Sequence, residues 1–566
     1  MRLYLVVFFI ILVSFVLVFR LFSLQILQHD FYKGLADNQH QTYQILFPKR
    51  GEIFIKDRFY GMDPSSQLFP LAVNKELLMV YAVPKKIEDK EEAAKLLAPL
   101  LEIDEDILKQ KISKKNDPYE PLKHKLSPEI VEKIKELNIE GIEFVTENWR
   151  YFPANSLACH VIGFVGFSDN KRVGQYGLEG YYNKELEGEY GFLEGEKDTK
   201  GQLIAIAKHY LQPAEDGTDL ILTIDSNIQF FVEKKLLEIV EYLDAEGGTI
   251  IVQDPQTGAI KALANWPTFD PNKYSEVEDI NVFLNPAIHN LFEPGSIFKP
   301  ITMAVALDKK LLTPNTTYED KGFIKIGGYT INNSHDKPEG IQTMTQVLEK
   351  SLNTGIVFVQ QLAGKKVFKD YLEKFRLSKE TGIDLEGEVS GNISNLNNKR
   401  DIEYATASFG QGISITPMEL VAALGAIANK GRIMKPYLVE KFVYSSGAEK
   451  IVKPKVSAQV ISLETAETLT KMMVSVVENG YGEKAGIPGY FIAAKTGTAQ
   501  VPDAGGYSDK TIHSFGGFFP AFDPEFLILV KLDNPQKIRF AADSVAPVFG
   551  EIAKHILNYY EIPPSR

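Results

Sequence analysis

A serine and a lysine three residues apart form the first pair in this sequence whose types and spacing could do chemistry. They are Ser296 and Lys299, which follow Pro294 and Gly295. A serine hydroxyl is a poor nucleophile until a base takes its proton. Residues i and i+3 share a helix face, so the Lys299 amine could be that base if its surroundings keep it neutral. An isolated S-x-x-K is more often a solvated helix turn, so this pair needs support from other segments.

A second serine lies in the segment Ser351-Leu352-Asn353, which Thr354 and Gly355 follow. Small polar residues before a glycine predict a loop between helices. The Ser351 hydroxyl could relay a proton, and the Asn353 amide could hold a substrate carbonyl. The alternative interpretation is an ordinary helix cap.

The third segment is Lys495-Thr496-Gly497-Thr498, which follows a predicted strand at 491–494. Gly497 has no side chain, so a substrate backbone could lie close against the strand. Lys495 would supply a fixed positive charge, and the two threonines would offer hydroxyl donors to a carboxylate. Taken alone, the segment is a glycine-containing strand end beside a lysine.

The elements that must position these segments are predicted to form an α+β domain whose sheet joins both ends of the region 216–566. Asp225 is placed to cap a helix that begins near Ser226. Apolar residues repeat with helical spacing from Phe549 to Tyr560. Apolar runs bounded by turn residues predict strands at 220–224, 249–252, 259–264, 515–519 and 526–532.

The amino terminus carries a long apolar run, residues 3–19, in which Ser14 is the one polar member. A membrane-spanning helix needs roughly 20 apolar residues, and Arg20 near one end could reach the lipid headgroups. A cleaved signal peptide would end in a small-x-small site, which this run lacks. A core helix is rarely apolar on every face. We therefore predict a transmembrane signal anchor at 1–27, with the rest of the chain outside the cytoplasmic membrane.

Composition narrows the classes of function. The chain has 566 residues, 44% of them hydrophobic and 24% charged, which is typical of a globular protein. Its net charge of −12 argues against binding to nucleic acid. The single cysteine, Cys159, excludes an intramolecular disulfide and a multi-cysteine metal site. The nine histidines include no H-E-x-x-H pair, and no G-x-x-x-x-G-K-[ST] phosphate loop is present. We expect neither a metal nor a cofactor.

Together and in this order, the three segments resemble the S-x-x-K, S-x-N and K-T-G set of penicillin-binding proteins and serine β-lactamases. Three other segments resemble the short sequence motifs, called boxes, of the non-catalytic module of class B penicillin-binding proteins. A fourth segment matches their transpeptidase domain. These segments are Arg50-Gly51 with Asp57-Arg58, Arg150-Tyr151-Phe152-Pro153 through His160-Val161-Ile162-Gly163, Gly177-Leu178-Glu179 through Leu186-Glu187-Gly188, and Ser408-Phe409-Gly410-Gln411-Gly412. The sequence is therefore identified as a member of class B, although the spacer between Gly51 and Asp57 is lengthened and a Lys- and Glu-rich lobe of short helices at 85–137 carries no family motif.

The resemblance implies an architecture of three parts. A transmembrane signal anchor would occupy 1–27, and an elongated mixed α/β pedestal or dimerisation-type module would occupy 28–215. Residues 216–566 would form a transpeptidase domain like that of penicillin-binding proteins and serine β-lactamases. That domain has an antiparallel sheet with helices on both faces and an α-helical lobe.

The resemblance also implies a substrate, the peptidoglycan stem peptide that ends in D-Ala-D-Ala. Ser296 would attack the penultimate carbonyl while Lys299 takes the hydroxyl proton. The backbone N–H groups of Ser296 and Thr498 would stabilise the tetrahedral oxyanion. β-Lactam antibiotics would acylate the same serine.

Release of D-Ala and cross-linking would use the remaining segments. Ser351 would pass a proton to the departing D-Ala amine with help from Lys495. Asn353 would orient the acyl donor, while Thr496, Gly497 and Thr498 would bind the terminal carboxylate and backbone. The amine of a neighbouring stem peptide would then capture the acyl group.

The resemblance finally implies a setting. The first 215 residues resemble class B boxes, so the enzyme would be monofunctional and would need a membrane glycosyltransferase of the SEDS (shape, elongation, division and sporulation) family, with other divisome proteins. The segment 513–520 favours the septal branch over the elongation branch.

Two other functions stay open at the level of sequence. The first is hydrolysis by a D,D-carboxypeptidase or a β-lactamase. A class A β-lactamase has a glutamate in an E-x-x-L-N segment, and Ile393 stands there in the nearest similar segment. The second is a non-catalytic scaffold of the cell-wall machinery, against which the intact set of three motifs argues.

Overall fold

The computed structural model describes residues 14–15, 17–20, 22, 41–46, 48–62, 67–114, 119–168, 171–196, 210–334, 337–503 and 506–566. Most of the predicted anchor at 1–27 lies outside them. Within the described part of the chain, no helix has both the length and the apolar character needed to cross a bilayer.

The chain before residue 217 contains short strands and short helices. Its strands are β1 (Gln41–Leu46), β2 (Ile53–Lys56), β3 (Phe69–Ala82), β4 (Glu120–Leu126), β5 (Ile142–Tyr151), β6 (Phe164–Ser168), β7 (Lys171–Gln175), β8 (Gly191–Glu196) and β9 (Tyr210–Gln212). Its helices are α1 (Lys90–Leu101), α2 (Glu105–Ile112), α3 (Pro128–Glu136), α4 (Cys159–Ile162), α5 (Gly177–Tyr181) and α6 (Asn183–Glu187).

The later part of the chain has longer helices between its first and last strands. Its strands are β10 (Asp219–Asp225), β11 (Gly247–Gln253), β12 (Ile260–Trp266), β13 (Thr317–Asp320), β14 (Phe323–Ile326), β15 (Tyr329–Asn332), β16 (Gly340–Thr343), β17 (Arg432–Met434), β18 (Val439–Val443), β19 (Glu449–Ile451), β20 (Val456–Gln459), β21 (Ala493–Asp503), β22 (Gly506–Phe519) and β23 (Phe526–Asp533). Its α-helices are α7 (Ser226–Leu243), α8 (Pro286–His289), α9 (Lys299–Asp308), α10 (Met344–Glu349), α11 (Asn353–Ala363), α12 (Lys365–Lys374), α13 (Asp401–Ser408), α14 (Pro417–Ala428), α15 (Leu463–Asn479) and α16 (Ala541–Tyr559). Short 3₁₀ segments lie at Pro271–Glu276, Ile280–Phe283, Gly295–Phe298, Ser394–Asn397 and Glu483–Ala485.

The chain divides into two compact units. One consists of Met1–Arg50 and Glu187–Gly217, and the other of Gly51–Leu186 and Thr218–Arg566. In the first unit, β8 pairs with β1 and β9 to form a three-stranded antiparallel sheet.

In the second unit, a seven-stranded sheet joins strands that are far apart in sequence. Its order is β19-β18-β10-β2-β3-β4, and β5 pairs with β3. β2 and β10 are parallel, so the pairing brings residues near 53 beside residues near 220. The boundaries at 27/28 and 215/216 stay predictions.

The five-stranded sheet of the second unit has the order β12-β11-β23-β22-β21, and every neighbouring pair is antiparallel. Both of its faces are buried, because alternate residues of one strand enter different cores. Ile250 and Val252 pack in the core that includes α7 and α16. Ile251, between them, packs in the core that includes α9, α14 and α15. The predicted sheet with helices on both faces is confirmed.

Local signals predicted several of these elements. The Asp225 side chain accepts hydrogen bonds from the backbone N–H groups of Asn227 and Ile228, which caps α7 as expected. The Lys- and Glu-rich lobe has its own apolar core from α1, α2 and α3, but it also contains β4, which the sequence did not predict.

Two of the box segments meet in a buried ion pair. Arg150 Nε lies 2.5 Å from the Glu179 carboxylate, and both side chains are almost fully shielded from solvent. Burial of a charged side chain is costly unless an opposite charge pairs with it. This ion pair therefore fixes the segment that contains Arg150 against the segment that contains Glu179.

Candidate active site

Ser296 lies in the 3₁₀ turn Gly295–Phe298, which leads directly into α9 at Lys299. The shared helix face that the sequence predicts for Ser296 and Lys299 is therefore that of a 3₁₀ turn, because the α-helix begins only at Lys299. The backbone N–H of Lys299 donates to the carbonyl of Ser296. In a 3₁₀ turn the side chains at i and i+3 lie on the same side, so Ser296 and Lys299 share a side of the turn. Among the described residues, the Lys299 amine forms its side-chain hydrogen bond with Ser351 and none with Ser296.

Lys299 is fully buried, and its amine contacts the second motif. Its Nζ donates to the carbonyl of Ser351 at 2.5 Å and to the Ser351 hydroxyl at 3.2 Å. Burial, together with the nearby charge of Lys495, holds the pKa of Lys299 well below its ordinary value of 10.5. A lowered pKa favours the neutral form of the amine, and a neutral amine can accept a proton.

Ser351 occupies the left-handed backbone region, with a φ of +55°. It follows the end of α10, where Ser351 N–H donates to Leu348 and Leu352 N–H donates to Val347. These two bonds form a Schellman motif, whose left-handed position usually carries glycine. Serine is strained in this backbone region, and strained residues often cluster at functional sites, so we infer a functional role for the Ser351 hydroxyl.

Lys495 is also fully buried, and it approaches the same hydroxyl from the sheet. Its Nζ lies 3.0 Å from Ser351 Oγ and 3.1 Å from both the carbonyl and the hydroxyl of Thr496. Burial lowers the pKa of Lys495 to about 7. This shift favours the neutral amine, so the predicted positive charge of Lys495 stays a prediction.

The third motif lies inside β21 and not at the end of a strand, since pairing with β22 runs from Ala493 to Asp503. Gly497 has no room for a side chain, because a Cβ would lie 2.3 Å from Ser514 Oγ and 3.0 Å from the carbonyl oxygen of Pro294. The strand therefore packs directly against the segment before Ser296. Thr498 Oγ1 accepts a hydrogen bond from the Ala541 N–H at 3.1 Å, which leaves its own hydroxyl proton for another partner.

Asn353 begins α11 and faces the cleft that contains Ser296. Its Nδ2 donates to the carbonyl of Asn332 at 2.9 Å. The cleft has a volume of about 440 Å³. Its lining residues are Gly295, Ser296, Tyr329, Thr330, Ile331, Asn332, Ser334, Asn353, Ile402, Thr406, Phe409, Gln411, Thr498 and Gln500.

Sequence reasoning missed the part of this wall that comes from β15, Tyr329–Asn332. A short polar hairpin carries little sequence signal, because many surface turns have the same composition. It also missed a buried network behind Asn353, in which the Asp320 carboxylate accepts from Thr354 Oγ1 at 2.5 Å and from Asn333 Nδ2 at 3.0 Å. The Asn333 side chain in turn accepts from the Thr354 N–H at 3.2 Å, so the network fixes the start of α11.

The segment Ser408-Phe409-Gly410-Gln411-Gly412, which carried part of the resemblance, supports the nucleophile turn from behind. The Gly410 carbonyl accepts from the Gly295 N–H at 3.0 Å, and the Ser408 carbonyl accepts from Thr302 Oγ1 at 2.7 Å. Gly410 has a φ of +78°, and a Cβ there would lie 2.6 Å from the Gly295 nitrogen.

The three motifs thus surround one site. Lys299, Ser351 and Lys495 form a buried chain of hydrogen bonds, while Ser296, Asn353 and Thr498 line the cleft beside it. A serine nucleophile, an amine of depressed pKa and a second hydroxyl that could relay a proton define the class: a serine enzyme for acyl transfer.

Comparison with known proteins places the chain within this class. Residues 248–554 match the penicillin binding protein transpeptidase domain, and residues 46–222 match the penicillin-binding protein dimerisation domain. The chain belongs to the penicillin-binding protein transpeptidase family. Class B, with both a dimerisation and a transpeptidase domain, is confirmed.

Individual relatives agree over nearly the whole chain. Stage V sporulation protein D of Bacillus subtilis is 32% identical over 100% of this chain and 86% of its own length. Peptidoglycan D,D-transpeptidase FtsI of Escherichia coli is 32% identical over 88% of this chain and 83% of its own length. The structure of penicillin-binding protein 3 from Mycobacterium tuberculosis in complex with aztreonam has a TM-score of 0.70 at 26% identity, and covers 92% of this chain and 98% of that one.

Proposed function

We propose that this protein is a peptidoglycan D,D-transpeptidase that cross-links stem peptides through an acyl-enzyme on Ser296, with release of D-Ala. The observation that carries the proposal is the Ser351 hydroxyl, which lies 3.2 Å from Lys299 Nζ and 3.0 Å from Lys495 Nζ. Membership of the family and the similarity to a named D,D-transpeptidase over most of the chain support the same conclusion.

In the first half of the reaction, Ser296 Oγ attacks the carbonyl carbon of the penultimate D-Ala. Neutral Lys299 takes the hydroxyl proton as the C–O bond forms. The backbone N–H groups of Ser296 and Thr498 stabilise the negative oxygen of the tetrahedral intermediate. Collapse of this intermediate breaks the C–N bond to the terminal D-Ala and leaves an ester on Ser296.

The departing amine receives a proton through the Ser351 hydroxyl, which Lys495 polarises. Thr496 and Thr498 bind the carboxylate of the terminal D-Ala, and Asn353 orients the amide of the acyl donor. In the second half, the amine of a neighbouring stem peptide attacks the ester, and its proton leaves by the same route. The product is a new amide cross-link, and Ser296 is regenerated.

Mass spectrometry of the intact protein after incubation with benzylpenicillin tests the nucleophile. We expect one covalent adduct on the wild type, mapped to the peptide that contains Ser296. The variant S296A should show none, while S394A, which changes a serine outside the three motifs, should react like the wild type. An adduct on S296A would overturn the assignment.

Product analysis separates cross-linking from hydrolysis and from a scaffold role. With stem-peptide donors and an amine acceptor, we expect amide products in excess over free acid. Predominant free acid would indicate a carboxypeptidase or β-lactamase instead. Ile393, which is buried, stands where class A β-lactamases have a glutamate, so this chain has no carboxylate at that position for rapid deacylation. Equal product from wild type and S296A would favour the scaffold.

The cellular setting forms part of the same proposal. Residues 1–27 act as a single-pass signal anchor in the cytoplasmic membrane, and the catalytic domain lies outside it. The enzyme works with a SEDS-family glycosyltransferase and other divisome proteins in septal wall synthesis. A reporter that is active only outside the cytoplasm, fused after Arg566, should be active with the full chain and inactive when 1–27 is deleted.

A further inference from the structure

A second cleft, of about 540 Å³, lies beyond the end of α12, next to the ends of β17 and β20. It shares no lining residue with the cleft that contains Ser296. Its volume falls in the range of about 300–1,000 Å³ that is usual for small-molecule sites.

Four cationic side chains line this second cleft, although the protein has a net charge of −12. They are Arg376, Lys379, Lys435 and Lys455. Within the described part of the chain, none of the four forms an ion pair with a carboxylate, whereas many other lysines do. Glu380 is the acidic residue on the wall. The cleft therefore has an excess of positive charge.

The backbone holds several of these cations in place. Arg376 has a φ of +62°, and its guanidinium donates to the Glu380 carbonyl at 3.3 Å, which leaves most of its N–H groups for a ligand. The Lys435 N–H donates to the Lys455 carbonyl at 2.8 Å, which aligns the two lysine-bearing segments. Lys435 Nζ lies 3.8 Å from where a Cβ of Gly382 would be, so it faces the turn on the opposite wall.

Among the described residues, the Glu388 carboxylate of the same loop does not line the cleft and forms no ion pair with these cations. Glu388 accepts from the Thr381 N–H at 2.7 Å, from the Gly382 N–H at 2.8 Å and from the Thr381 hydroxyl. Both carboxylate oxygens are thus committed to shaping the turn that forms one wall of the cleft.

We propose that this cleft binds a small, multiply charged phosphate ester, of which a diphosphate is the simplest example. The guanidinium fork of Arg376 matches two phosphate oxygens, and the lysines add point charges. The volume exceeds that of one phosphate group and leaves space for a second. A soluble phosphate ester and a phospholipid head group share this chemistry. The site is independent of the proposed acyl transfer.

Calorimetric titration of the full chain with sodium pyrophosphate tests the site, with sodium chloride of equal ionic strength as the reference. We expect saturable binding by the wild type and a loss of about tenfold or more in affinity for R376Q/K435Q, since both changes remove cations that face the ligand. The matched control K471Q/K554Q removes the same charge from two exposed lysines outside the cleft. Its affinity should stay within about twofold of the wild type.

A second arm identifies the source of the phosphate. Binding of the protein to phosphatidylcholine vesicles is measured with and without added phosphatidylglycerol. Binding that does not depend on head-group charge is the same in both and drops out of the comparison. The site is assigned to a lipid head group if two results are found together. The wild type binds phosphatidylglycerol vesicles preferentially but does not bind pyrophosphate, and R376Q/K435Q loses the preference. Failure of the wild type in both arms, or equal weakening by both double variants, overturns the proposal.

Acylation by a fluorescent penicillin is measured on every variant. Unchanged acylation shows that the variants are folded, and it separates failure of the phosphate site from failure of the proposed transpeptidase. If R376Q/K435Q does not fold, the single variant K455Q replaces it, because Lys455 is exposed and carries its charge at the mouth of the cleft. Its pyrophosphate affinity should fall by about threefold or more.

Discussion

At the scale of single residues, the proposed mechanism requires a neutral Lys299 that can accept the Ser296 proton. Its burial and the nearby charge of Lys495 lower its pKa well below 10.5. K299R places a permanent charge at the same position, because arginine stays protonated in proteins. We expect the acylation rate constant with a fluorescent penicillin to fall about 10²- to 10⁴-fold, the range for loss of a general base.

The matched measurement is the pH profile of the wild type. A depressed pKa means that the fraction of neutral Lys299 grows as pH rises through that lower pKa, so acylation should already be near its plateau well below pH 10.5. A rate that keeps rising tenfold per pH unit up to pH 10 would contradict a neutral Lys299.

A substitution at Ser351 can separate two effects, namely the strain of its left-handed backbone and the proposed proton relay through its hydroxyl. S351G fits the left-handed φ of +55° and removes only the hydroxymethyl group. We expect a net change in stability of at most about 1–2 kcal/mol, because relief of the left-handed strain offsets part of the loss of hydrogen bonds to two buried amines. Acylation should still fall by about 10²-fold or more. If S351G acylates at the wild-type rate, the hydroxyl relay is wrong.

The sequence predicted the chemical identity of these groups but not their state. The spacing of Ser296 and Lys299 predicted a nucleophile and its base. Both residues lie at the site, and their roles stay predictions. The left-handed backbone of Ser351 could not be predicted, because serine there is unusual. The pKa of Lys495, about 7, depends on burial by parts of the chain distant in sequence. Local patterns do not report that burial.

At the scale of elements, two glycines with similar backbone angles differ in their surroundings. Gly410 has a φ of +78° and lies against the backbone of Gly295, whereas Gly387 has a φ of +84° and open space around it. G410A and G387A should share a penalty of about 1 kcal/mol for the left-handed region. Only G410A also displaces the nucleophile turn.

We therefore expect G410A to lower penicillin acylation by about tenfold or more, since a small misplacement of reacting atoms has a large effect on rate. G387A should acylate at the wild-type rate. Fluorescent penicillin kinetics and thermal unfolding, measured on both variants, check this. Equal acylation by the two variants would show that the contact between Gly410 and Gly295 does not position Ser296.

Elements with a strong local period were predicted well, and those that depend on distant partners were not. α7 with its Asp225 cap and β11 have clear local signals, and both lie where expected. The third motif was assigned to a strand end, but β21 continues to Asp503 because β22 pairs along it. The parallel pairing of β2 with β10 is also absent from local patterns, since it joins residues more than 160 positions apart.

At the scale of the whole molecule, burial of an amine makes folding depend on pH. Lys495 has a pKa of about 7 in the folded chain and an ordinary value of 10.5 when unfolded. Between these values the unfolded chain binds a proton that the folded chain does not. The free energy of unfolding should therefore rise with pH across this window, by at most about 1.4 kcal/mol per pH unit for this lysine.

K495M removes this contribution, so its free energy of unfolding should rise less steeply between pH 7.5 and pH 9.5 than that of the wild type, by up to about 1.4 kcal/mol per pH unit. Urea unfolding followed by tryptophan fluorescence, to which Trp149 and Trp266 both contribute, measures both slopes. K471M, a change at an exposed lysine, should keep the wild-type slope. Parallel slopes for wild type and K495M would mean that Lys495 stays charged in the folded protein, so that burial does not lower its pKa as stated.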